Sequence, residues 1–138
     1  SIAELFTDLK KLFPEEEFQF EVPSPELKLN VDRTQIEQIL INLLKNAREA
    51  CSRKSDKKIQ VKARKLSAGN TTLTISDNGE GILPDVLDKI FVPFFTTKTS
   101  GSGIGLSLCK QIMTLHEGSI NVKSEVGKGS SFILTFPK

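Results

Sequence analysis

The feature that most constrains the fold is a carboxylate at the end of an alternating apolar segment. Leu73, Ile75 and Asp77 occupy every second position, and residues 77–82 then read DNGEGI. Alternate side chains of a β-strand point to the same face of a sheet. The pattern therefore directs Asp77 towards the interior, where a carboxylate needs a hydrogen-bond partner. An ordinary turn that ends a strand remains the alternative, because Asp-Asn-Gly is also common turn chemistry.

A second glycine-rich segment, residues 101–106 with the sequence GSGIGL, stands at the start of a predicted helix. Glycines let a backbone approach a ligand closely, and the free N–H groups of a helix start attract anions. We interpret the two segments as the two ends of one nucleotide site, with the base at Asp77 and the phosphates at the second segment. The segment does not have the Gly-Lys-Ser/Thr ending of a P-loop, so simple loop flexibility also remains open.

Size and charge narrow the classes of function. The chain has 138 residues, which is typical of one domain, and a net charge of +2, which argues against a nucleic-acid or membrane-surface partner. Cys51 and Cys109 are isolated, which argues against a zinc site and favours a reducing, cytoplasmic environment. No signal peptide is visible, and no apolar run is long enough to span a membrane. Because the chain begins at Ser1 without a Met, we expect a fragment of a longer protein.

The clearest helix is predicted from Asp32 to about Cys51. Asp32 and Gln35 have the spacing of a capping box, and apolar residues then recur at helical spacing. Asn42 and Asn46 are four residues apart and therefore neighbours on one face. Their amide oxygens are suitable ligands for a hard cation such as magnesium. An exposed polar flank is the alternative reading, and for an isolated pair it is the more common one.

The other patterns predict an α+β domain with its helices on one face of a sheet. His116 is the only histidine, and it closes an apolar helix, so we interpret it as structural. Lys98 could reach a phosphate as a point charge, although a solvated lysine is the simpler reading. The predicted helices cover residues 2–12, 84–90 and 105–116. The predicted strands cover residues 18–22, 27–31, 59–64, 73–77, 120–122 and 132–136.

Five segments in a fixed order carry a resemblance to a known family. They are NLLKNA at 42–47, DNGEGI at 77–82, FVPFFTTK at 91–98, GSGIGL at 101–106 and GKGSSF at 127–132. Together they resemble the N, G1, F, G2 and G3 boxes of the catalytic ATP-binding domain of sensor histidine kinases, in the GHKL superfamily. The resemblance covers nearly the whole chain from about residue 18 onward.

This resemblance implies the Bergerat ATP-binding fold, a two-layer sandwich of a mixed β-sheet and about three α-helices. It places the catalytic domain at residues 14–138. Residues 1–13 would then be the end of a helical connection to a dimerisation and phosphoacceptor domain, which this chain does not contain.

The resemblance also implies roles for individual residues. Asp77 would bind the adenine amino group, and Asn46 would bind magnesium with Asn42 close by. Asn42, Asn46 and Lys98 would form the catalytic set. Gly79 and Gly81 would shape the base pocket and the hinge of a lid. The full implied ATP-binding set is Asn42, Lys45, Asn46, Asp77, Gly79, Gly81, Ile82, Phe94, Thr97, Lys98, Gly101, Ser102, Gly103, Ile104, Gly105, Leu106 and Ser131.

The implied activity is that of a histidine kinase, which transfers the γ-phosphate of ATP to a histidine on the separate helical domain. A response regulator would be the downstream partner in two-component signalling. The ATPase branches of the superfamily carry a glutamate at the position of Asn42 as general base for water. An amide cannot accept that proton, which favours phosphoryl transfer over hydrolysis. A nucleotide-sensing module and a free-standing ATPase or serine kinase remain the alternatives.

Overall fold

The described residues, 1–24, 26–92 and 105–138 of a computed structural model, form a mixed five-stranded sheet with helices packed on one face. The strand order is β1-β2-β3-β5-β4; β1 is parallel to β2, and the other neighbours are antiparallel. The α+β, two-layer prediction is confirmed. The elements are α1 Ile2–Leu12, β1 Phe18–Glu21, α2 Arg33–Ala50, β2 Ile59–Lys65, β3 Thr71–Asp77, α3 Pro84–Leu87, α4 Gly105–Leu115, β4 Ser119–Glu125 and β5 Gly129–Phe136.

The two faces of the sheet differ because apolar and polar residues alternate along the strands. Along β3, Leu73 and Ile75 are buried, whereas Thr72 and Thr74 lie on the opposite, partly exposed face. The buried face packs against the apolar sides of α1, α2 and α4 in one core. Burial of one face only is what period-two alternation requires. Within the described ranges, no helix is long and apolar enough to cross a membrane.

The start of α2 is held from two sides. Asp32 caps the helix as predicted, since its Oδ1 accepts a hydrogen bond from the Gln35 N–H at 3.1 Å. The Asp32 N–H, however, donates to His116 Nε2 at 3.1 Å, where a full capping box would have used the Gln35 side chain. His116 Nδ1 lies 2.9 Å from the Ile112 carbonyl oxygen. His116 therefore ties the end of α4 to the start of α2, which agrees with its structural interpretation.

The predicted strand at 27–31 is wrong. The chain there has no strand ladder, although Leu27, Leu29 and Val31 are partly buried against the core. The Ile2 N–H donates to the Leu27 carbonyl oxygen at 3.1 Å, so this segment is fastened to α1. Alternation of apolar residues does not by itself distinguish a β-strand from an extended segment that packs over the core, because both bury every second side chain. The helix predicted at 84–90 is also shorter, and ends at Leu87.

Helix α1 packs into the same core as the rest of the chain, and the structure shows no separation at residue 13. Its apolar side is buried, and Lys10 Nζ donates to the Phe18 carbonyl oxygen at 2.6 Å. At the end of α1, the Arg48 guanidinium lies over the rings of Phe13 and Phe18, at 4.8 and 5.3 Å. Helix α1 therefore packs with the described domain, and the boundary between residues 13 and 14, with residues 1–13 as the end of a helical connection, stays a prediction.

The packing of α1 predicts that Leu9→Ala lowers the free energy of unfolding by about 2–5 kcal/mol, because it leaves a cavity in the core. Leu9 is 0% exposed, whereas Leu12 on the same helix is 54% exposed. Leu12→Ala is therefore the matched control, with an expected change below about 0.5 kcal/mol. Urea titration of both variants measures the difference. Equal, small effects would mean that α1 is only loosely attached.

Candidate functional site

A cavity of about 590 Å³ opens at the end of β3. That volume lies in the usual range for small-molecule sites, and most of its lining is apolar with a few polar groups, as is typical of such sites. It is enclosed by the second half of α2, the segment after β3, α3, the start of α4 and the β4–β5 turn. The lining residues are Asn46, Ala47, Glu49, Ala50, Asp77, Glu80, Gly81, Ile82, Leu83, Val86, Ile90, Leu106, Val126, Ser130 and Phe132.

Asp77 lies at the inner end of β3 and lines the cavity, as its strand phase predicts. Its Oδ1 accepts a hydrogen bond from the Gly79 N–H at 2.9 Å, and its carboxylate also accepts one from the Ser130 backbone. Burial raises the pKa of Asp77 above its ordinary value, and the two backbone hydrogen bonds partly oppose that rise. The carboxylate is thus held in place with acceptor capacity beside an apolar cavity.

A polar row crosses the inner face of the sheet at this end. Asp77 is the register partner of Ser130, and Ser130 is the register partner of Ser124 on β4. Ser130 is only 6% exposed, and it lines the cavity beside Asp77. The hydroxyl oxygens of Ser130 and Ser124 are 2.9 Å apart.

The structure corrects the assignment of Ser131. Its side chain is on the opposite face of the sheet, with its Oγ 2.8 Å from the Ser76 Oγ, and it does not line the cavity. Ser130 occupies the position that had been given to Ser131. The sequence held the signal: Phe132, Leu134 and Phe136 are the inward residues of β5, so Ser130 has the inward phase.

The two glycines after Asp77 allow close approach of protein backbone on both sides. A Cβ on Gly79 would lie 2.5 Å from the Ala50 carbonyl oxygen at the end of α2. Gly81 has φ +78°, and a Cβ there would lie 2.4 Å from the Glu125 carbonyl oxygen. These residues were expected to leave room for a ligand. The structure shows that they let residues 78–82 pass between α2 and the β4–β5 turn. Gly81 also lines the cavity, and the role of both glycines in shaping a base pocket stays a prediction.

Two hydrogen bonds hold this segment between its neighbours. The Glu80 N–H donates to the Ala50 carbonyl oxygen at 3.2 Å, and the Gly127 N–H donates to the Glu80 carbonyl oxygen at 2.9 Å. Residues 78–82, on which the cavity rests, are therefore hydrogen-bonded both to the end of α2 and to the β4–β5 turn.

The two asparagines of α2 differ in position. Asn46 lines the cavity. Asn42, one turn earlier, lies against the first residue of α4, where a Cβ on Gly105 would meet the Asn42 Oδ1 at 2.7 Å. Lys45 is exposed and does not line the cavity. Because Asn46 and Asn42 point towards the cavity and the start of α4, an exposed polar flank does not describe them.

The other predicted residues divide into three groups. Ile82 and Leu106 line the cavity together with Asp77, Gly81 and Asn46. Gly79 and Gly105 lie next to it, in the close backbone and side-chain contacts already described. Phe94, Thr97, Lys98, Gly101, Ser102, Gly103 and Ile104 lie outside the described residues.

Several residues that line the cavity were not predicted from the sequence. Glu49 and Ala50 could have been found, because they follow Asn46 by one helical turn and therefore share its face. Leu83, Val86, Ile90 and Val126 carry no comparable local signal, since only the tertiary fold brings them to the cavity. Leu83 and Val126 are 59% and 55% exposed and form its apolar rim.

Comparisons with known proteins agree with this geometry. Residues 31–138 match the family described as histidine kinase-, DNA gyrase B-, and HSP90-like ATPase. The chain is 39% identical over 110 residues to the sensor histidine kinase ZraS of Salmonella typhimurium, which covers 80% of this chain but only 23% of that protein. The chain therefore spans less than a quarter of the length of this curated relative.

Solved structures show the same fold. The nucleotide-free catalytic domain of the histidine kinase ThkA has a TM-score of 0.85 and 36% identity, over 99% of this chain and 91% of that one. ThkA in complex with the response regulator protein TrrA has a TM-score of 0.79 and 31% identity, over 100% of this chain and 40% of that one.

The raised pKa of Asp77 predicts how stability depends on pH. A carboxyl group whose pKa is higher in the folded state favours folding while it is protonated, and that contribution is lost as the pH rises through the raised pKa. Asp77→Asn removes this loss, and the amide oxygen can still accept from the Gly79 N–H. Relative to the wild type, the variant should therefore gain stability as the pH rises above about 4, the ordinary pKa of an aspartate carboxyl group.

Urea titrations of both proteins across that pH range measure the effect. If the variant became relatively less stable as the pH rose, the ionised carboxylate would be stabilising the fold, contrary to the inference from its burial.

Proposed function

The chain belongs to the histidine kinase-, DNA gyrase B- and HSP90-like ATPase family, as the catalytic ATPase part of a histidine kinase, and from that premise we propose its reaction. It binds ATP with magnesium and donates the γ-phosphate to a histidine on a separate helical domain. The single observation that carries the proposal is the Asp77 carboxylate, held by backbone N–H groups at the end of an apolar cavity.

The cavity suits a purine that carries an amino group. An ionised carboxylate is an acceptor only, so it pairs with an N–H donor on the base. Ile82, Val86 and Leu106 supply apolar contact for the flat ring. The volume of about 590 Å³ is enough for a ligand of nucleotide size.

The residues present fit a magnesium ion that arrives with the phosphates. Among the described residues there is no group of three or more His, Cys, Asp or Glu side chains that could hold a metal ion. Magnesium commonly takes one or two protein oxygens, with phosphate and water oxygens completing its octahedron. The amide oxygen of Asn46 supplies such a ligand at the cavity wall, with Asn42 one turn away. When bound, the ion neutralises charge on the phosphate oxygens.

The phosphate side of the site rests on the family resemblance. Phe94, Thr97, Lys98 and residues 101–104 are proposed as the lid and its phosphate contacts. Gly105, the first residue of α4, itself lies directly against Asn42. A helix start beside an amide oxygen suits both a phosphate and its cation.

Transfer is favoured over hydrolysis because the site offers no general base at residue 42. The Asn42 amide cannot take a proton from water, so activation of a water molecule has no suitable acceptor there. The site can still position the γ-phosphate towards an external nucleophile, and such positioning is most of what phosphoryl transfer requires.

The proposed partners rest on the family resemblance and on a structural neighbour. ThkA, a structural neighbour, has been solved in complex with a response regulator. By analogy we assign this chain a response regulator as downstream partner and a helical phosphoacceptor domain of the parent kinase as immediate substrate. With ATP as the proposed phosphate donor, we also propose a cytoplasmic location for the reaction.

The central test combines this chain with the helical domain of its parent kinase, γ-labelled ATP and magnesium. The expected product is an acid-labile label on a histidine of the helical domain. Asp77→Asn should lower ATP affinity about 10- to 100-fold, because a charged hydrogen bond to the base is lost. Titration calorimetry measures that affinity.

Two outcomes would favour the alternatives. Tight ATP binding without labelling would indicate a nucleotide-sensing module. Sustained phosphate release by this chain alone would indicate a free-standing ATPase.

The magnesium assignment predicts a selective effect of Asn46→Ala. ATP affinity should fall about tenfold with magnesium present, the effect of losing one interaction worth about 1.4 kcal/mol. It should change little when the metal is chelated. Gln38→Ala, an exposed amide on the same helix, is the control and should change neither value. An equal loss with and without magnesium would exclude Asn46 as a ligand.

A further inference from the structure

Ser124 makes three polar contacts at the back of the cavity without lining it. Its Oγ accepts a hydrogen bond from the Ile82 N–H at 2.8 Å and donates to the Gly129 carbonyl oxygen at 3.1 Å. The third contact is the Ser130 hydroxyl at 2.9 Å. Ser124 thus joins the segment after Asp77, the β4–β5 turn and a side chain of the cavity wall.

The number of hydrogens decides the direction of the bond between the two hydroxyls. A serine hydroxyl has one hydrogen and two acceptor lone pairs. Only one assignment makes all three contacts hydrogen bonds: the Ser124 hydrogen is donated to the Gly129 carbonyl oxygen, and the hydrogen between Ser124 and Ser130 comes from Ser130. The Ser130 oxygen then has only acceptor capacity left for the cavity. Among the described residues, no buried side-chain polar atom lacks a hydrogen-bond partner.

From this geometry we infer that Ser124 is a positioning residue for base selection, which acts by holding Ser130 as an acceptor beside the Asp77 carboxylate. The inference rests on the proposed ATP-binding function. Register partners on one face of an antiparallel pair have Cβ atoms about 5 Å apart, so the two acceptors stand side by side. An amino group meets them with N–H donors. A carbonyl oxygen in the same place meets two acceptors and is rejected.

A second contact of Ser124 supports the backbone next to the cavity. By accepting from the Ile82 N–H, it anchors the far end of residues 78–82, the segment that follows Asp77. Losing this backbone contact is expected to weaken both nucleotides equally, so the ratio between them reports only the contact with Ser130.

The test compares ATP with inosine triphosphate, in which a carbonyl oxygen replaces the amino group of the base. Removing the Ser124 hydroxyl with Ser124→Ala leaves the Ser130 hydrogen free to turn into the cavity, so Ser130 becomes a donor. The preference for ATP over inosine triphosphate should then narrow about tenfold, the value of one positioned hydrogen bond. A merely structural role would weaken both ligands equally and leave their ratio unchanged.

The chain offers a matched control in its other serine pair. Ser76 and Ser131 are also register partners with hydroxyls 2.8 Å apart, but they lie on the opposite face of the sheet. Ser76→Ala removes the same kind of bond and should leave the ratio unchanged. In a Ser130→Ala background, Ser124→Ala should no longer alter the ratio, because the group that it orients is gone.

The measurements are calorimetric titrations of both nucleotides with magnesium, together with urea titrations that verify folding. Wild-type protein that binds no ATP would overturn the proposed function itself. Wild-type binding with an unchanged ratio in Ser124→Ala would overturn only the role of Ser124. A ratio change that persists in the Ser130→Ala background would also overturn it.

Discussion

The structure around the cavity depends on the Asp77 carboxylate, which is turned towards the interior at the end of β3. Placing a carboxylate there is unfavourable, as the rise in its pKa with burial indicates. Backbone N–H groups of Gly79 and Ser130 partly compensate for that cost. These two donors come from the neighbouring segment and the neighbouring strand, so the same contacts that hold the charge also define one end of the cavity.

Residues 78–82 transmit this constraint to the rest of the domain. Their backbone is bonded to the end of α2 on one side and to the β4–β5 turn on the other, at distances that exclude a Cβ at Gly79 or Gly81. Helix α2 also carries Asn46, and the turn leads into Ser130. Backbone contacts therefore fix the relative positions of Asp77, Asn46 and Ser130, the residues proposed to bind the adenine, hold magnesium and select the nucleobase. None of the three can shift far without the others.

Apolar alternation and helix-capping spacing each predicted one part of the structure correctly and another part wrongly. Alternation identified β3 and the phase of Asp77, and it would have identified Ser130 if the phase of β5 had been followed back from Phe132. The same alternation suggested a strand at 27–31, where the chain only covers the core. The spacing of Asp32 and Gln35 correctly predicted the start of α2. The Asp32 N–H, however, donates to His116, a residue 84 positions away, and not to the Gln35 side chain. The predictions of the strand at 27–31 and of the full capping box failed for the same reason. Both features depend on neighbours that are distant in sequence.

The sequence by itself determined the element types, the inward phase of Asp77, the shared face of Asn42 and Asn46, and the order of motifs that identifies the family. These follow from local periods of 2 and 3.6 residues and from the chemistry of single side chains. Only the tertiary structure decided that α1 belongs to the core and that the glycines serve backbone contact. It alone placed Ser124 behind Ser130, because those relations are distances between separate elements, and no local period encodes a distance.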